Sequence, residues 1–273
     1  MSIRIALLLL VILVGAASPA AAQWGGRGWR RAPPKFPDAE TLRERRFIFC
    51  RVLYTSVRRE WLGHGWDTDY PDADQNLTFR LSELTKIDVA HDGESDPNHV
   101  VVELTDDALF HFPFIFMSDV GTLGFSELEV ERLRTYLLKG GFLWVDDFWG
   151  QYAWDQWERE IRQVLPEYEI IDILPNHQLM DGIFNLEKVP QIPSIQFWRR
   201  SGGNETSERG LDSAVPHLRA LVDDHGRIMV LMTHNTDIAD GWERENEEYE
   251  FFHRFSPDSY ALAVNVVMYV LSH

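Results

Sequence analysis

The segment SELEVERLRTYLLKGGFLWVDDFW, residues 126–149, constrains the fold of this chain most strongly. Ser126 and Glu129 have the spacing of a capping box, and apolar residues recur after them at helical intervals. Gly140-Gly141 is typical of a helix end, and Phe142–Val145 is a nearly continuous apolar run, as in a buried strand. Two adjacent aspartates follow immediately. The segment therefore predicts a strand that ends in carboxylates, and open α/β sheets bind their ligands at that end of their strands.

Strand and helix patterns alternate along the rest of the chain. Further strands are predicted at residues 47–54, 87–89, 100–104, 112–117, 168–174 and 195–198, and further helices at 77–85, 151–165 and 259–271. A hairpin is predicted where Leu218–Val222 and Arg227–Met232 flank Asp223-Asp224-His225-Gly226. This order favours an α/β fold with a mostly parallel sheet, helices on both faces and an antiparallel edge hairpin.

The N-terminal residues predict export. Arg4 precedes an apolar run from Ile5 to Val14, and small residues ending in Ala20-Ala21-Ala22 follow, which is the pattern of a cleaved signal peptide at residues 1–22. Ten apolar residues are too few to cross a bilayer, so we expect no membrane span after cleavage. The expected location is the periplasm or cell envelope, although an uncleaved N-terminal anchor is an open alternative.

Charge and cysteine content exclude several classes of protein. The formal net charge of the 273 residues is −17, which argues against nucleic acid as a partner. Residues 23–46 differ, because they hold seven basic and three acidic residues among Gly, Trp and Pro, and we predict a disordered leader there. Residues 47–273 are predicted to form one α/β domain. Cys50, the single cysteine, lies in an apolar strand pattern and is expected to be buried and unreactive.

Polar side chains stand at the ends of four predicted strands. They are Asp119, Asp146, Asp147, His177, His234, Asn235 and Asp237. Because the carboxyl ends of parallel strands share one edge of a sheet, we expect these side chains to converge. Asp119, Asp146, His177, His234, Asn235 and Asp237 are the predicted ligand-binding groups. Asp146 is expected to face the cleft from the elbow, with Asp147 either beside it or capping the next helix. Asp146, Asp147, His177 and His234 are the candidates for acid–base catalysis, since neighbouring charges separate pKa values.

A structural role is the alternative for each of these residues. Asp119 and Asp146 are also placed to cap the helices that follow, and His177 to bond a neighbouring loop. Carboxylates with imidazoles suit a divalent cation, but their spacing matches no metal motif, so no metal ligand is assigned. No motif requires a cofactor. Trp61, Trp66, Trp149 and Trp242 lie in predicted loops, where their rings would stack on a sugar or fill the loop itself.

Several of these residues carry a resemblance to a known family. The matching motifs are Arg51-Val52-x-Tyr54, Trp66-x-x-Asp69-Tyr70-Pro71-x-Ala73-Asp74-x-Asn76-Leu77, Gly140-Gly141-Phe142-Leu143-x-x-Asp146-Asp147, His177 to Phe184, and His234-Asn235-x-Asp237 with Gly241-Trp242. Over residues 47–271 the chain resembles the domain-of-unknown-function 4159 family. The resemblance implies a flavodoxin-like fold of the class I glutamine amidotransferase type, related to the trehalose-utilisation domain. It implies no activity.

The chain departs from the amidotransferases at the position of their nucleophile. The nucleophilic cysteine of amidotransferases follows the strand that is Phe142–Val145 here, and Asp146 occupies that place in this chain. Thioester chemistry on glutamine is therefore not expected. The first functional hypothesis is an exported binding or accessory domain of the cell envelope for a polar, carbohydrate-like ligand, with an envelope protein as a further partner. The alternative is a hydrolase or isomerase acting on a saccharide or other envelope component through Asp/His acid–base chemistry.

Overall fold

The computed structural model describes residues 32–60, 63–93 and 96–273. The predicted signal peptide at 1–22, the first part of the leader at 23–31, and Trp61 lie outside these residues. Among the described residues, no helix combines the length and the apolar character needed to cross a membrane.

The secondary structure alternates between strands and helices. The strands are β1 (Phe49–Leu53), β2 (His91–Asp92), β3 (Asp96–Pro97), β4 (His99–Glu103), β5 (Phe114–Ser118), β6 (Phe142–Phe148), β7 (Ile170–Asp172), β8 (His217–Val222) and β9 (Ile228–His234). The α-helices are α1 (Asp72–Leu84), α2 (Glu127–Leu138), α3 (Gly150–Val164), α4 (Ile195–Arg200), α5 (Asp240–Glu243) and α6 (Tyr249–Ser272).

Seven strands form one mostly parallel sheet in the order β4-β1-β5-β6-β9-β8-β7, and β2 pairs only with β3. Strands β4, β1, β5, β6 and β9 are parallel, whereas β8 is antiparallel to both β9 and β7. When the five parallel strands are numbered by their order in the chain, they lie across the sheet in the order 2-1-3-4-5. This is the flavodoxin-like order. The predicted fold class is confirmed. Strand β7 lies outside the predicted hairpin and forms the edge of the sheet.

Helices cover both faces of the sheet, and each face has its own core. Alternate residues of β1 show why: Phe49 belongs to the core that α1, α5 and α6 cover, whereas Cys50 belongs to the core beneath α2 and α3. Side chains of a strand alternate between its faces, so parallel strands buried on both sides need apolar residues at nearly every position. Cys50 is buried within β1, as predicted.

Four predicted elements differ from the structure. Residues 87–89 form only an isolated bridge, between Val89 and Phe47, instead of a strand, and helix α6 begins at Tyr249 rather than Ser259. Residues 195–198 form helix α4 instead of a strand, because Ser194 accepts a hydrogen bond from the Phe197 N–H and caps a helical turn. Helix α1 begins at Asp72 rather than Leu77, and two carboxylates in its first turn, Asp72 and Asp74, suit the positive end of the helix dipole.

The second part of the predicted leader is bound to the domain. Lys35 donates through Nζ to Asp92 and Asn98, and its carbonyl accepts a hydrogen bond from the Val101 N–H on β4. The chain therefore covers the outer edge of β4, a position where an open sheet edge would expose unpaired backbone groups. The prediction of a disordered leader is wrong for this stretch.

The capping box at the start of α2 gives a stability prediction. Ser126 accepts a hydrogen bond from the Glu129 N–H, and the Glu129 carboxylate accepts one from the Ser126 N–H at 2.7 Å. We expect Ser126→Ala to lower the free energy of unfolding by about 0.5–2 kcal/mol in urea denaturation. Ser82→Ala, at an exposed site in α1, is the control, and an equal loss in both variants would contradict the capping role.

Candidate functional site

Three carboxylates that are far apart in sequence meet at the carboxyl edge of the sheet. Asp69 lies in the segment after β1, Asp147 lies near the end of β6, and Asp237 follows β9. One oxygen from each of the three carboxylates lies within 4.8 Å of the other two. Asp69 and Asp237 are buried, whereas Asp147 is partly exposed. We call Asp69, Asp147 and Asp237 the carboxylate triad.

A second set of acids shares Asp69 with the triad. Carboxylate oxygens of Asp69, Asp240 and Glu243 also lie within 4.8 Å of one another, and the latter two belong to the short helix α5. Arg244 lies 3.3 Å from Asp240 and 2.7 Å from Glu243 and offsets part of their charge. Asp69 thus belongs to both sets and connects the two acids of α5 to Asp147.

Backbone strain concentrates at this edge. Four non-glycine residues among the described ones have left-handed backbones: Asp69 (φ 63°), Asp119 (φ 53°), Asp147 (φ 55°) and Asn235 (φ 63°). Asp and Asn tolerate this conformation better than other residues with a Cβ, and such strain typically collects at functional sites. Asp119 and Asn235 directly follow β5 and β9, Asp147 lies near the end of β6, and Asp69 lies in the segment between β1 and α1.

The two adjacent aspartates of β6 have different roles in the structure. Asp146 is fully buried and accepts hydrogen bonds from the Thr233 hydroxyl (2.6 Å) and the Ala239 N–H (2.9 Å), so it joins β6 to β9 and the start of α5. Asp147 lies in an irregularity of β6 with positive φ and contributes to the triad. The prediction that Asp146 faces the cleft from the elbow is wrong, because the irregularity turns the next residue outward.

Asp119 lies beside the triad and is held by the segment after β1. Its carboxylate accepts a hydrogen bond from the Gly65 N–H at 2.7 Å, and a Cβ at Gly63 would overlap the same carboxylate. Burial raises the pKa of Asp119 well above its usual value, while the Gly65 hydrogen bond and Arg209 act in the opposite direction. Asp119 does not cap a following helix with its side chain, so that structural alternative is not observed.

His177 does not reach the carboxylates. Its ring lies 6.3 Å from that of Tyr269, near the end of α6, and the Tyr269 hydroxyl accepts a hydrogen bond from the N–H of Ile228, the first residue of β9. His177 therefore lies toward the edge where the parallel strands begin. The predicted convergence of His177 with the aspartates is wrong, because the segment after β7 crosses to the opposite end of the sheet.

His234 and Asn235 lie next to the edge but serve the fold. The His234 ring packs against Phe148 and Trp154 at centroid distances of 4.9 and 5.1 Å, and burial lowers its pKa to about 3. The Asn235 side chain accepts a hydrogen bond from the Gly150 N–H and donates to the Val215 carbonyl. Both side chains thus connect the end of β9 to the start of α3 and neighbouring loops. Neither one belongs to the carboxylate triad.

Burial and crowding of like charges favour the protonated forms of these acids. Burial, followed by the charges of Asp69 and Asp119, raises the pKa of Asp147 well above its usual value, and burial with the charge of Asp147 does the same for Asp237. Burial raises the pKa of Asp146 to about 7 and that of Glu243, beside Asp69, to about 10. The edge therefore holds carboxyl groups of both protonation states near neutral pH.

This arrangement supports three kinds of chemistry. Ionised carboxylates accept hydrogen bonds from ligand hydroxyls, and protonated ones donate. Neighbouring carboxyls with separated pKa values suit proton transfer. The two sets that share Asp69 also have the oxygen ligands that Ca²⁺ or Mg²⁺ requires, although no metal motif was predicted from the sequence.

Sequence reasoning missed Asp69, Asp240 and Glu243. A usable signal existed for the last two, because Asp237, Asp240 and Glu243 recur every third residue and so return to one side of a helical turn. Asp69 lies in a long turn-rich segment whose path has no periodic signal. It appeared only within the family motif.

The loop tryptophans do not form an open stacking surface. Trp242 and Trp149 are buried, and the Trp66 ring lies 5.4 Å from that of Tyr70. Trp149 has a polar role in the site, since its Nε1 donates to Asp147 at 2.9 Å. Of the two interpretations left open by the sequence, loop packing fits these three residues.

A separate groove lies on the other side of the segment after β1. It has a volume of about 530 Å³ and lies between residues 55–57, the start of α2 and the helix α3. Its polar side chains largely bond one another or the neighbouring backbone: Gln156 Nε2 donates to Glu160 at 3.3 Å, and the Glu160 carboxylate also accepts the Phe125 N–H. It contains no predicted site residue, and we place the functional site at the carboxylates.

Comparison with known proteins identifies the family. The family model for the domain of unknown function DUF4159 matches residues 49–271, which is most of the chain. This chain belongs to the DUF4159 family. The resemblance inferred from the sequence motifs is thereby confirmed at the level of the family. No curated protein matches the chain. The DUF4159 region contains all three residues of the carboxylate triad, each on a different segment.

Proposed function

We propose that this DUF4159 protein is an exported binding or accessory protein of the cell envelope that holds a polar, carbohydrate-like ligand at the carboxylate triad. The convergence of three carboxylate oxygens within 4.8 Å carries the proposal. Ionised carboxyls accept hydrogen bonds and protonated ones donate, so a matching ligand must offer groups that do both, as the hydroxyls of a sugar do. The signal pattern of residues 1–22 supports the envelope location, where a protein partner would present or receive the ligand.

Asp147 is the member of the triad best placed to touch a ligand. It is partly exposed, whereas Asp69 and Asp237 are buried behind it. Its Oδ1 already accepts a hydrogen bond from Trp149 Nε1 at 2.9 Å, which fixes the carboxyl group beside the other two acids. A ligand hydroxyl would therefore displace water from a carboxylate whose position is already determined.

A hydrolase or isomerase is the second candidate, favoured by the backbone of Asp147. A positive φ at a strand end followed by helix α3 is the geometry that presents a nucleophile or base in α/β enzymes. The neighbouring Asp237, whose pKa is raised by burial and by Asp147, is a suitable proton donor. His177 and His234 take no part in this acid–base mechanism, because His177 is remote from the carboxylates and the His234 ring is packed against Phe148 and Trp154.

The substitution Asp147→Asn tests the proposal with little change in size. We expect polar molecules that co-purify from the native host with the wild-type protein to be lost from Asp147→Asn, with affinity reduced by roughly tenfold, since leaving a buried hydrogen-bonding group unsatisfied costs about 1–3 kcal/mol. Native mass spectrometry identifies the molecule, and calorimetry measures its affinity. Glu127→Gln, exposed on α2, is the matched control and should bind normally.

The outcomes separate the two candidates. Binding that survives in Asp147→Asn, when the wild type shows no turnover of the bound molecule, would contradict a ligand role for the triad. Retained binding of envelope saccharides with turnover reduced by about 10²–10⁴ would favour the enzyme. Adding Ca²⁺ or a chelator shows whether the carboxylates contact the ligand directly or through a cation.

A further inference from the structure

A ladder of three aromatic rings crosses the sheet near the acidic edge, on the face covered by α3. Phe148 on β6 pairs in register with His234 on β9, which pairs with His217 on β8. The His234 ring lies 4.9 Å from that of Phe148 and 5.7 Å from that of His217. This places two imidazoles side by side, outside the carboxylate triad.

His234 is held as a metal-binding histidine would be. Its Nε2 lies 3.2 Å from the Gly150 carbonyl oxygen, which can only accept, so Nε2 carries the proton and Nδ1 keeps a free lone pair. The residue is only 4% exposed, and its Nδ1 is buried without a hydrogen-bond partner among the described residues. Histidine ligands typically donate their other N–H to a carbonyl or carboxylate in this way.

His217 supplies a second imidazole nitrogen and connects the buried His234 to solvent. Of the three rings packed on His234, only that of His217 offers another nitrogen lone pair, the others being Phe148 and Trp154. The His217 side chain is 30% exposed, and its Nδ1 lies 4.0 Å from Asp172 on β7.

We infer that His217 and His234 form a site for a borderline divalent metal ion such as Cu²⁺, Ni²⁺ or Zn²⁺, with Asp172 as an accessible oxygen ligand. Imidazole nitrogen suits these ions, whereas the carboxylate triad suits harder ones. The two rings are nearly parallel at 16°, so both lone pairs reach one ion only when His217 rotates about its Cβ–Cγ bond. Arg219 bonds Asp172 at 3.1 Å and lies over Trp154, so the ion competes with this guanidinium for the Asp172 carboxylate.

Copper binding to tag-free protein tests the inference. We expect His217→Ala to weaken Cu²⁺ binding in calorimetry by roughly tenfold or more, because loss of even an outer-shell partner costs about 10–100-fold. Electron paramagnetic resonance should show two coordinated nitrogens in the wild type and fewer in the variant. His225→Ala, exposed in the turn between β8 and β9, is the control and should bind as the wild type does.

Two further variants test whether the copper signal arises at the histidine pair. His234→Phe keeps the aromatic ladder and should lose both nitrogen signals, with its melting temperature used to check folding. Asp147→Asn should leave the copper signal unchanged. Copper affinity that is unchanged in His217→Ala, or that depends on Asp147 instead, would overturn the assignment.

Discussion

Replacing Arg51 with methionine is expected to lower the free energy of unfolding by about 3–5 kcal/mol, because Asp74 would remain as an unpaired buried charge. Both side chains are fully buried, and the Arg51 guanidinium donates from Nη2 to the Asp74 carboxylate at 2.5 Å. Urea denaturation measures the loss. Arg80→Met, which removes a partly exposed arginine paired with Glu83 and Glu245, should cost no more than about 1 kcal/mol.

The same substitution should also impair the candidate site. Arg51 Nη1 donates to the carbonyl oxygens of Trp66 and Thr68, and so holds the chain immediately before Asp69 against β1. Without these bonds Asp69 loses its fixed position in the triad, and ligand binding should fall under conditions where the protein is still folded. The double variant Arg51→Met/Asp74→Leu should recover much of the stability without restoring binding. Full recovery of both stability and ligand binding in the double variant would show that Arg51 does not position Asp69.

The protein is expected to become less stable as pH rises from 7 to 8.5. An acid whose folded pKa lies above its unfolded value keeps a proton in the folded state that the unfolded chain has released. Stability then falls by about 1.4 kcal/mol per pH unit for each such group between its two pKa values. Burial next to Asp69 raises the pKa of Glu243 to about 10, so this residue contributes over the whole interval. Asp147 and Asp237, whose pKa values burial also raises, act in the same direction.

The interval above pH 7 isolates the acids from the histidines. Burial lowers the pKa of His234 to about 3. Its effect on stability is therefore confined to pH values below the pKa of an ordinary histidine, which is about 6.5. Denaturation of Glu243→Gln at pH 7 and 8.5 should show a slope flatter by about 1.4 kcal/mol per pH unit. Glu127→Gln, exposed on α2, should keep the wild-type slope. An unchanged slope in Glu243→Gln would mean that this residue ionises normally in the fold.

Local sequence signals identified most of the secondary structure. The capping box of Ser126, the glycine pair and the apolar run after it predicted α2 and β6, because helix caps and strand burial depend on residues close in sequence. The helix α4 was predicted as a strand because the local signals in its segment are ambiguous. Ile195 and Trp198 are apolar in a short segment, where strand and helix patterns cannot be separated by period.

The sequence by itself determined the alternation of strands and helices, the parallel sheet and the presence of acids at strand ends. Tertiary structure alone decided which acids meet. The irregularity in β6 turned Asp147 rather than Asp146 toward the triad, and the path of a long segment brought in Asp69. The crossing after β7 carried His177 to the other end of the sheet. Secondary structure follows from neighbouring residues, whereas a site at a sheet edge depends on loop paths and side-chain directions that only packing fixes.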